Sequence, residues 1–70
     1  MAKFIVEDRS SGRILLEASM SADGLEEIHH KASDISEEDV ARILQTVRDD
    51  LRDGSSGGTL HMRGVEWFET

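Results

Sequence analysis

An amphipathic segment between residues 34 and 54, with a helix signal at each end, constrains the fold more than any other feature of this chain. Ser36 is a preferred N-cap residue, and Asp39 stands three residues later, in the capping-box position. Gly54 is the residue type that most often follows the last turn of a helix. Between these signals, large apolar residues recur at helical spacing: Val40, Ile43, Leu44, Val47 and Leu51. The sequence therefore predicts one long helix that buries a single face.

The N-terminal part of the chain predicts a β-hairpin. Residues 3–7 and 13–17 are short runs of β-prone residues, and the polar loop between them ends in Gly12. Glycine at that position can adopt the left-handed conformation that returns the chain to the strand. One register gives both apolar and opposite-charge cross-strand pairs: Val6–Ile14, Ile5–Leu15, Phe4–Leu16, Glu7–Arg13 and Lys3–Glu17.

Residues 21–33, between the hairpin and the long helix, carry a weaker helix signal. Asp23 followed by Glu26 has the spacing of a cap, and three apolar residues keep helical spacing: Leu25, Ile28 and Ala32. We expect a short helix or a helical turn here. Residues 54–58 are rich in Gly and Ser and predict a loop.

Residues 59–69 predict a third strand. Its first part alternates apolar and polar residues: Leu60, His61, Met62 and Arg63. A bulge at Gly64 would place Trp67, the only tryptophan, on the core face of the strand. Without the bulge, Trp67 would point to the other face of the sheet. The sequence leaves both alternatives open.

These elements predict a single domain, residues 1–70, of the α+β class. The order β-β-(α)-α-β gives a three-stranded antiparallel sheet, with one long helix packed on one face and strand order 2-1-3. The other face has no helix to cover it. Three apolar residues are expected to form an interface there, for a partner or for a second copy in a homodimer: Ile5, Leu15 and Trp67.

The charge of the chain restricts the partners that it can bind. Fifteen acidic residues stand against eight Lys and Arg, so the formal net charge is -7. Because contacts to phosphate need Lys and Arg, this balance argues against direct binding of nucleic acid or of an anionic membrane. A larger protein with a basic groove is the expected partner. The chain has no cysteine, which excludes disulfides and thiolate sites, and a cytoplasmic location is expected.

The acidic residues are concentrated between residues 23 and 39. Six of them are the predicted partner-binding residues: Glu26, Glu27, Asp34, Glu37, Glu38 and Asp39. Charge complementarity with a basic groove would speed association at low salt. The alternative is a solvated acidic face that keeps a small protein soluble.

The sequence contains no arrangement that predicts catalysis. His29 and His30 are adjacent, and on a helix adjacent side chains point about 100° apart, so the two imidazoles would not converge on one metal ion. No serine stands in a nucleophile-elbow motif. The protein is therefore expected not to be an enzyme, with no catalytic, cofactor-binding or metal-binding residues.

In general character the chain resembles the small acidic inhibitors encoded by phages and mobile elements, the anti-CRISPR and anti-restriction proteins. The resemblance rests on its 70 residues, its net charge of -7, its lack of a catalytic arrangement and its compact β-β-α-β layout. It implies a protein that blocks a nucleic-acid-binding site on its partner by mimicking nucleic acid. The alternative function is a homo-oligomeric structural or assembly protein that uses the helix-free face of the sheet.

Overall fold

Five antiparallel strands and one helix form the fold, which the computed structural model describes for residues 1–60, 62 and 64–70. In chain order the elements are β1 Ala2–Asp8, β2 Arg13–Met20, β3 Glu26–Lys31, α1 Glu37–Arg52, β4 Gly57–Thr59 and β5 Val65–Glu69. The strands make one sheet in the order β3-β2-β1-β5-β4. The α+β class is as predicted, but the sheet has five strands where three were expected.

The β1–β2 hairpin forms as predicted, but in a different register. Gly12 has a φ of 70°, the left-handed conformation that the turn was expected to need. Val6 lies opposite Leu16 rather than Ile14, and the pairing shifts at Leu15, which is an extra residue on β2. Because side chains alternate with a period of two, this two-residue offset still leaves Val6 and Leu16 on one face of the sheet.

The prediction of a short helix within residues 21–33 is wrong, because this segment contains β3. Ala18 of β2 lies opposite Ile28. Leu25 is 72% exposed and Ile28 is 43% exposed, whereas Ala32 is buried. The three apolar residues at helical spacing therefore do not form a single buried face. The strand forms because the edge of β2 that does not pair with β1 offers its backbone groups for pairing.

The predicted third strand, residues 59–69, is part of a hairpin made by β4 and β5. In the turn between them the Leu60 N–H donates to the Val65 carbonyl at 3.0 Å. Gly64 has a φ of 75° and lies in this turn, so it does not form a bulge within one strand. Two residues of the predicted alternation lie outside the described part of the chain: His61 and Arg63.

The helix α1 and one face of the sheet enclose the hydrophobic core. The helix begins as predicted, with the Ser36 Oγ accepting a hydrogen bond from the Asp39 N–H at 3.1 Å. Trp67 is 1% exposed, so its placement in the core is confirmed, although no bulge at Gly64 produces it. Within the described ranges, no helix has the length and apolarity that a bilayer crossing requires. The buried apolar residues are Phe4, Val6, Leu16, Ala18, Met20, Ala32, Ile35, Val40, Ile43, Leu44, Val47, Leu60, Val65 and Trp67.

Candidate functional site

The sheet face opposite α1, here called the open face, presents apolar and acidic side chains side by side. Strand side chains alternate, so the neighbours of the buried core residues point to this side. Phe68 is 37% exposed, and the other members are partly buried. Two adjacent rows of the register form its centre, with Glu17, Ile5 and Phe68 in one and Ile14, Glu7 and Glu66 in the other, and Lys3 lies opposite Ser19 in the next row on the same side.

The second row of the open face sets two carboxylates against each other. Glu7 of β1 lies directly opposite Glu66 of β5, a placement that is unfavourable for like charges. The Arg9 Nε lies 3.7 Å from a Glu66 oxygen and offsets one of the two charges in part. Among the described residues, no cation lies within ion-pair distance of Glu7 or Glu17. These two rows therefore carry more negative than positive charge beside their apolar side chains.

Of the three residues predicted to form the apolar interface, only Ile5 lies on the open face. It stands opposite Glu17 rather than Leu15. Leu15 is the extra residue of the bulge and packs against the core, while Trp67 is itself part of the core. Phe68, which the sequence analysis did not single out, takes the place of Trp67 on this face. The sequence could have indicated this placement, because side chains alternate along a strand, and a strand that buries Trp67 must turn Phe68 outward.

The six acidic residues predicted to bind a partner are spread over β3, the following turn and the first turn of α1. Glu27 lies 3.6 Å from a ring nitrogen of His29, and Glu37 is exposed at the start of the helix. Four of the six lie beside an arginine of the same chain: Glu26 beside Arg48 (2.9 Å), Asp34 beside Arg13, Glu38 beside Arg42 (2.7 Å) and Asp39 beside Arg42 (3.9 Å). Much of the charge that the sequence concentrates here is thus already compensated within the fold.

The Arg13–Asp34 pair connects the start of β2 to the turn that precedes α1. Two guanidinium nitrogens of Arg13 donate to the two carboxylate oxygens of Asp34. These hydrogen bonds, together with the backbone hydrogen bond of Asp34, hold the pKa of its carboxyl below the ordinary value of 3.8. The stability that this pair contributes is therefore present above pH 3.8 and is lost as the pH falls through the lowered pKa.

We expect the Asp34→Asn variant to unfold at lower urea concentration than the wild type at neutral pH. The difference should shrink as the pH falls through the lowered pKa of Asp34, because the wild-type carboxyl then becomes protonated as well. Urea unfolding at a series of pH values measures both effects. Asp23→Asn is the matched control, since no ion pair to Asp23 is found in the described ranges. A pH-independent difference between Asp34→Asn and the wild type would contradict the expectation.

Ser19, His29 and Glu27 lie in a row across the β2–β3 pair, and the first two are joined by a hydrogen bond. The Ser19 Oγ lies 3.1 Å from the His29 Nε2, and the His29 Nδ1 lies 3.6 Å from a Glu27 oxygen. The residue types are those of a hydrolytic triad. Ser19, however, is 2% exposed. Because β2 pairs with a strand on each side, the backbone N–H groups around Ser19 are used in hydrogen bonds within the sheet. We interpret the row as a connection that fixes β3 against β2.

Metal chemistry finds no support in the geometry. Across residues 1–60, 62 and 64–70, no group of three or more His, Cys, Asp or Glu side chains could hold a metal ion. His29 and His30 lie on a strand rather than on the helix that was expected to carry them.

No protein-family model, curated protein or solved structure matches this chain. Because a fold supports many unrelated functions, the α+β class does not specify one. The function has to be inferred from the surfaces described above. Of these, the open face combines exposed apolar area with acidic charge that the described residues compensate only in part.

Proposed function

We propose that the protein is a non-enzymatic binding module whose open face covers a basic surface on a larger protein. One observation carries the proposal: the opposed carboxylates of Glu7 and Glu66 lie next to the apolar pair of Ile5 and Phe68. The fold tolerates a repulsion that lysine or arginine side chains of a partner would relieve. The apolar pair would supply the buried centre of the contact, and the acids would supply its charged surround.

The chemistry of such a partner points to proteins that bind nucleic acid. Surfaces rich in Lys and Arg are the ones that contact phosphate, and a net charge of -7 favours association with them. A module that covers such a surface would compete with nucleic acid for it. This is the inhibitory role that the resemblance to anti-CRISPR and anti-restriction proteins implies, and the cytoplasm is the compartment that we propose for it.

Charge argues against a second copy of the chain as the occupant of the open face. Two open faces brought together would desolvate Glu7, Glu17 and Glu66 of both copies in one contact, and like charges desolvated together are unfavourable. The homo-oligomeric alternative is therefore not the function that we propose for this face.

Reversing three charges on the open face is expected to abolish most of the binding. The probe is a short peptide in which arginine and leucine alternate, titrated against the protein by calorimetry. We expect the wild type to bind it more weakly as salt is added. The triple variant Glu7→Lys, Glu17→Lys, Glu66→Lys should raise the dissociation constant at least ~10-fold, because it removes the charges that attract the peptide.

A second triple variant separates the open face from the net charge of the protein. Asp23→Lys, Glu37→Lys, Asp53→Lys makes the same change in charge at three exposed acids that lie off the open face. We expect this variant to bind the peptide within about threefold of the wild type, since distant exposed charges are screened. Equal losses in the two triple variants, or no loss in the first, would show that the open face is not the site.

A further inference from the structure

The strand β3 forms one edge of the sheet and is exposed along its whole length. It lies at the end of the strand order, and all six of its residues are exposed. Beside it runs a groove of about 470 Å³ between β3 and α1, with Ile28, Val40 and Leu44 among its lining residues. An exposed edge strand offers unpaired backbone groups to another strand, and the neighbouring groove offers apolar area.

The order of charges along β3 is complementary to itself when the strand is reversed. Glu26 and Glu27 stand at its start, while His30 and Lys31 stand at its end. If two copies pair antiparallel about a two-fold axis between residues 28 and 29, Glu26 faces Lys31 of the second copy, and Glu27 faces His30. The Glu26–Lys31 pair sets opposite charges in directly opposed positions, which stabilises an antiparallel pair, and the His30 ring can donate a hydrogen bond to Glu27. A parallel arrangement in the same alignment would set like charges together.

The bulge in β3 makes this particular register possible. In an antiparallel pair, directly opposed side chains must lie on the same face of the sheet. Positions 26 and 31 would lie on opposite faces of a regular strand. Ala18 faces residue 28 while Glu17 faces residue 30, so His29 is an extra residue. As a result, Glu26 and Lys31 both line the groove on the helix side.

We propose that a second copy of this chain pairs with the β3 edge, antiparallel and in this register, so that one sheet continues through both copies. A regular strand fits a bulged edge poorly, whereas two copies bring their bulges together at the axis. The contact is limited to a short edge, which places it among small, weak interfaces. It leaves the open face accessible and does not depend on the proposed function.

Sedimentation equilibrium of the wild-type protein between about 10 µM and 1 mM tests whether the pairing occurs. We expect a reversible monomer–dimer equilibrium in this range. Lys31→Glu and Glu26→Lys should each raise the dimer dissociation constant at least tenfold, because each variant places like charges opposite each other twice per dimer. Circular dichroism of each variant checks that it remains folded, which matters for Glu26→Lys because Glu26 also pairs with Arg48.

Mixing the two variants distinguishes pairing across the edge from a loss of structure. In a mixed dimer the Glu at position 26 of one variant faces the Lys at position 31 of the other, and the Glu at position 31 faces the Lys at position 26. With one variant labelled with nitrogen-15, native mass spectrometry should therefore detect mostly mixed dimers. Their dissociation constant should return to within about threefold of the wild-type value.

Lys3→Glu is the matched control, because it makes the same substitution at the only other lysine, on β1. It should leave dimerisation within about threefold of the wild type, as Lys3 does not lie on the β3 edge. A wild-type protein that stays monomeric at 1 mM would overturn the proposal. Three other results would also overturn it: a dimer that Lys31→Glu leaves intact, a dimer that Lys3→Glu weakens as much as Lys31→Glu does, or a mixture of the two variants that does not restore dimerisation.

Discussion

Replacing Trp67 with alanine is expected to lower the free energy of unfolding by about 3–5 kcal/mol. The side chain is 1% exposed and is among the largest in the core. Its ring meets that of Phe4 edge-on, with centroids 6.1 Å apart and planes at 80°. Its Nε1–H donates to an Asp50 oxygen at 2.9 Å, which ties β5 to the C-terminal part of α1. The substitution would remove all of these contacts and leave a cavity.

The neighbouring aromatic residue provides the control for Trp67. Phe68 is 37% exposed on the opposite face of the same strand, so Phe68→Ala should cost less than about 1 kcal/mol. Urea unfolding followed by far-UV circular dichroism measures both variants. Trp67→Phe should fall between them, because it keeps most of the ring volume but loses the hydrogen bond to Asp50. Similar losses for Trp67→Ala and Phe68→Ala would mean that β5 is not oriented as described.

The second large effect is expected for Leu44→Ala, at about 2–5 kcal/mol. Leu44 is 7% exposed and lies on the buried face of α1, against the sheet. Because α1 is the only helix that the described residues form, no second layer can move in to fill the space. Leu25→Ala deletes the same atoms at a position that is 72% exposed and should change stability by less than about 0.5 kcal/mol.

The comparison of the two leucine variants is a direct test of how the helix packs. Both are measured by urea unfolding in the same buffer, so that the slopes can be compared as well as the midpoints. A loss below about 1 kcal/mol for Leu44→Ala would contradict the packing of α1 on the sheet. A large loss for Leu25→Ala would instead mean that the segment before β3 is more buried than described.

The long helix could be predicted from the sequence because its signals are local. Ser36 caps it, Glu38 pairs with Arg42 one turn later at 2.7 Å, and the apolar residues repeat every third or fourth position. Each of these interactions joins residues no more than four positions apart. Tertiary contacts were not needed to recognise them.

The strand β3 could not be recognised in the same way, because tertiary pairing decides its conformation. Its six residues are all exposed, so they show no alternation of buried and exposed side chains. Leu25, Ile28 and Ala32 happen to keep helical spacing, which misled the prediction. The informative residues were Ala18 and Met20, whose burial extends β2 beyond the predicted hairpin and creates an edge for β3.

For the β1–β2 hairpin, the prediction placed the apolar residues Val6 and Leu16 on the correct face of the sheet but paired the two strands in the wrong register. The predicted register combined three apolar pairs with two ion pairs, one of them between Glu7 and Arg13. In the structure Glu7 faces Ile14. Arg13 pairs with Asp34, which lies outside the hairpin, so rules for hairpin pairing could not predict this contact. Surface ion pairs contribute little free energy and are weak guides to register. The burial of apolar residues determined the face, and the bulge at Leu15 determined the pairing.

The candidate site was predicted only in part, for a similar reason. The sequence shows how many acids there are, but not which of them arginines compensate. Arg13 and Arg48 each reach an acid more than 20 positions away. The face that emerges as the strongest candidate is built from residues of three strands, and only Ile5 among them was singled out beforehand.

The position of β5 between β1 and β4 has a consequence for how the chain folds. The strands β1, β2 and β3 join through neighbouring segments, and α1 forms from local contacts. The pairing of Phe4 with Glu69, by contrast, closes a loop of nearly the whole described chain. Closing a loop of that length slows folding, because the chain loses conformational entropy before the stabilising contacts form. Until β5 pairs with it, one edge of β1 offers unpaired backbone groups, and such an edge exposes the unfinished domain to aggregation during synthesis.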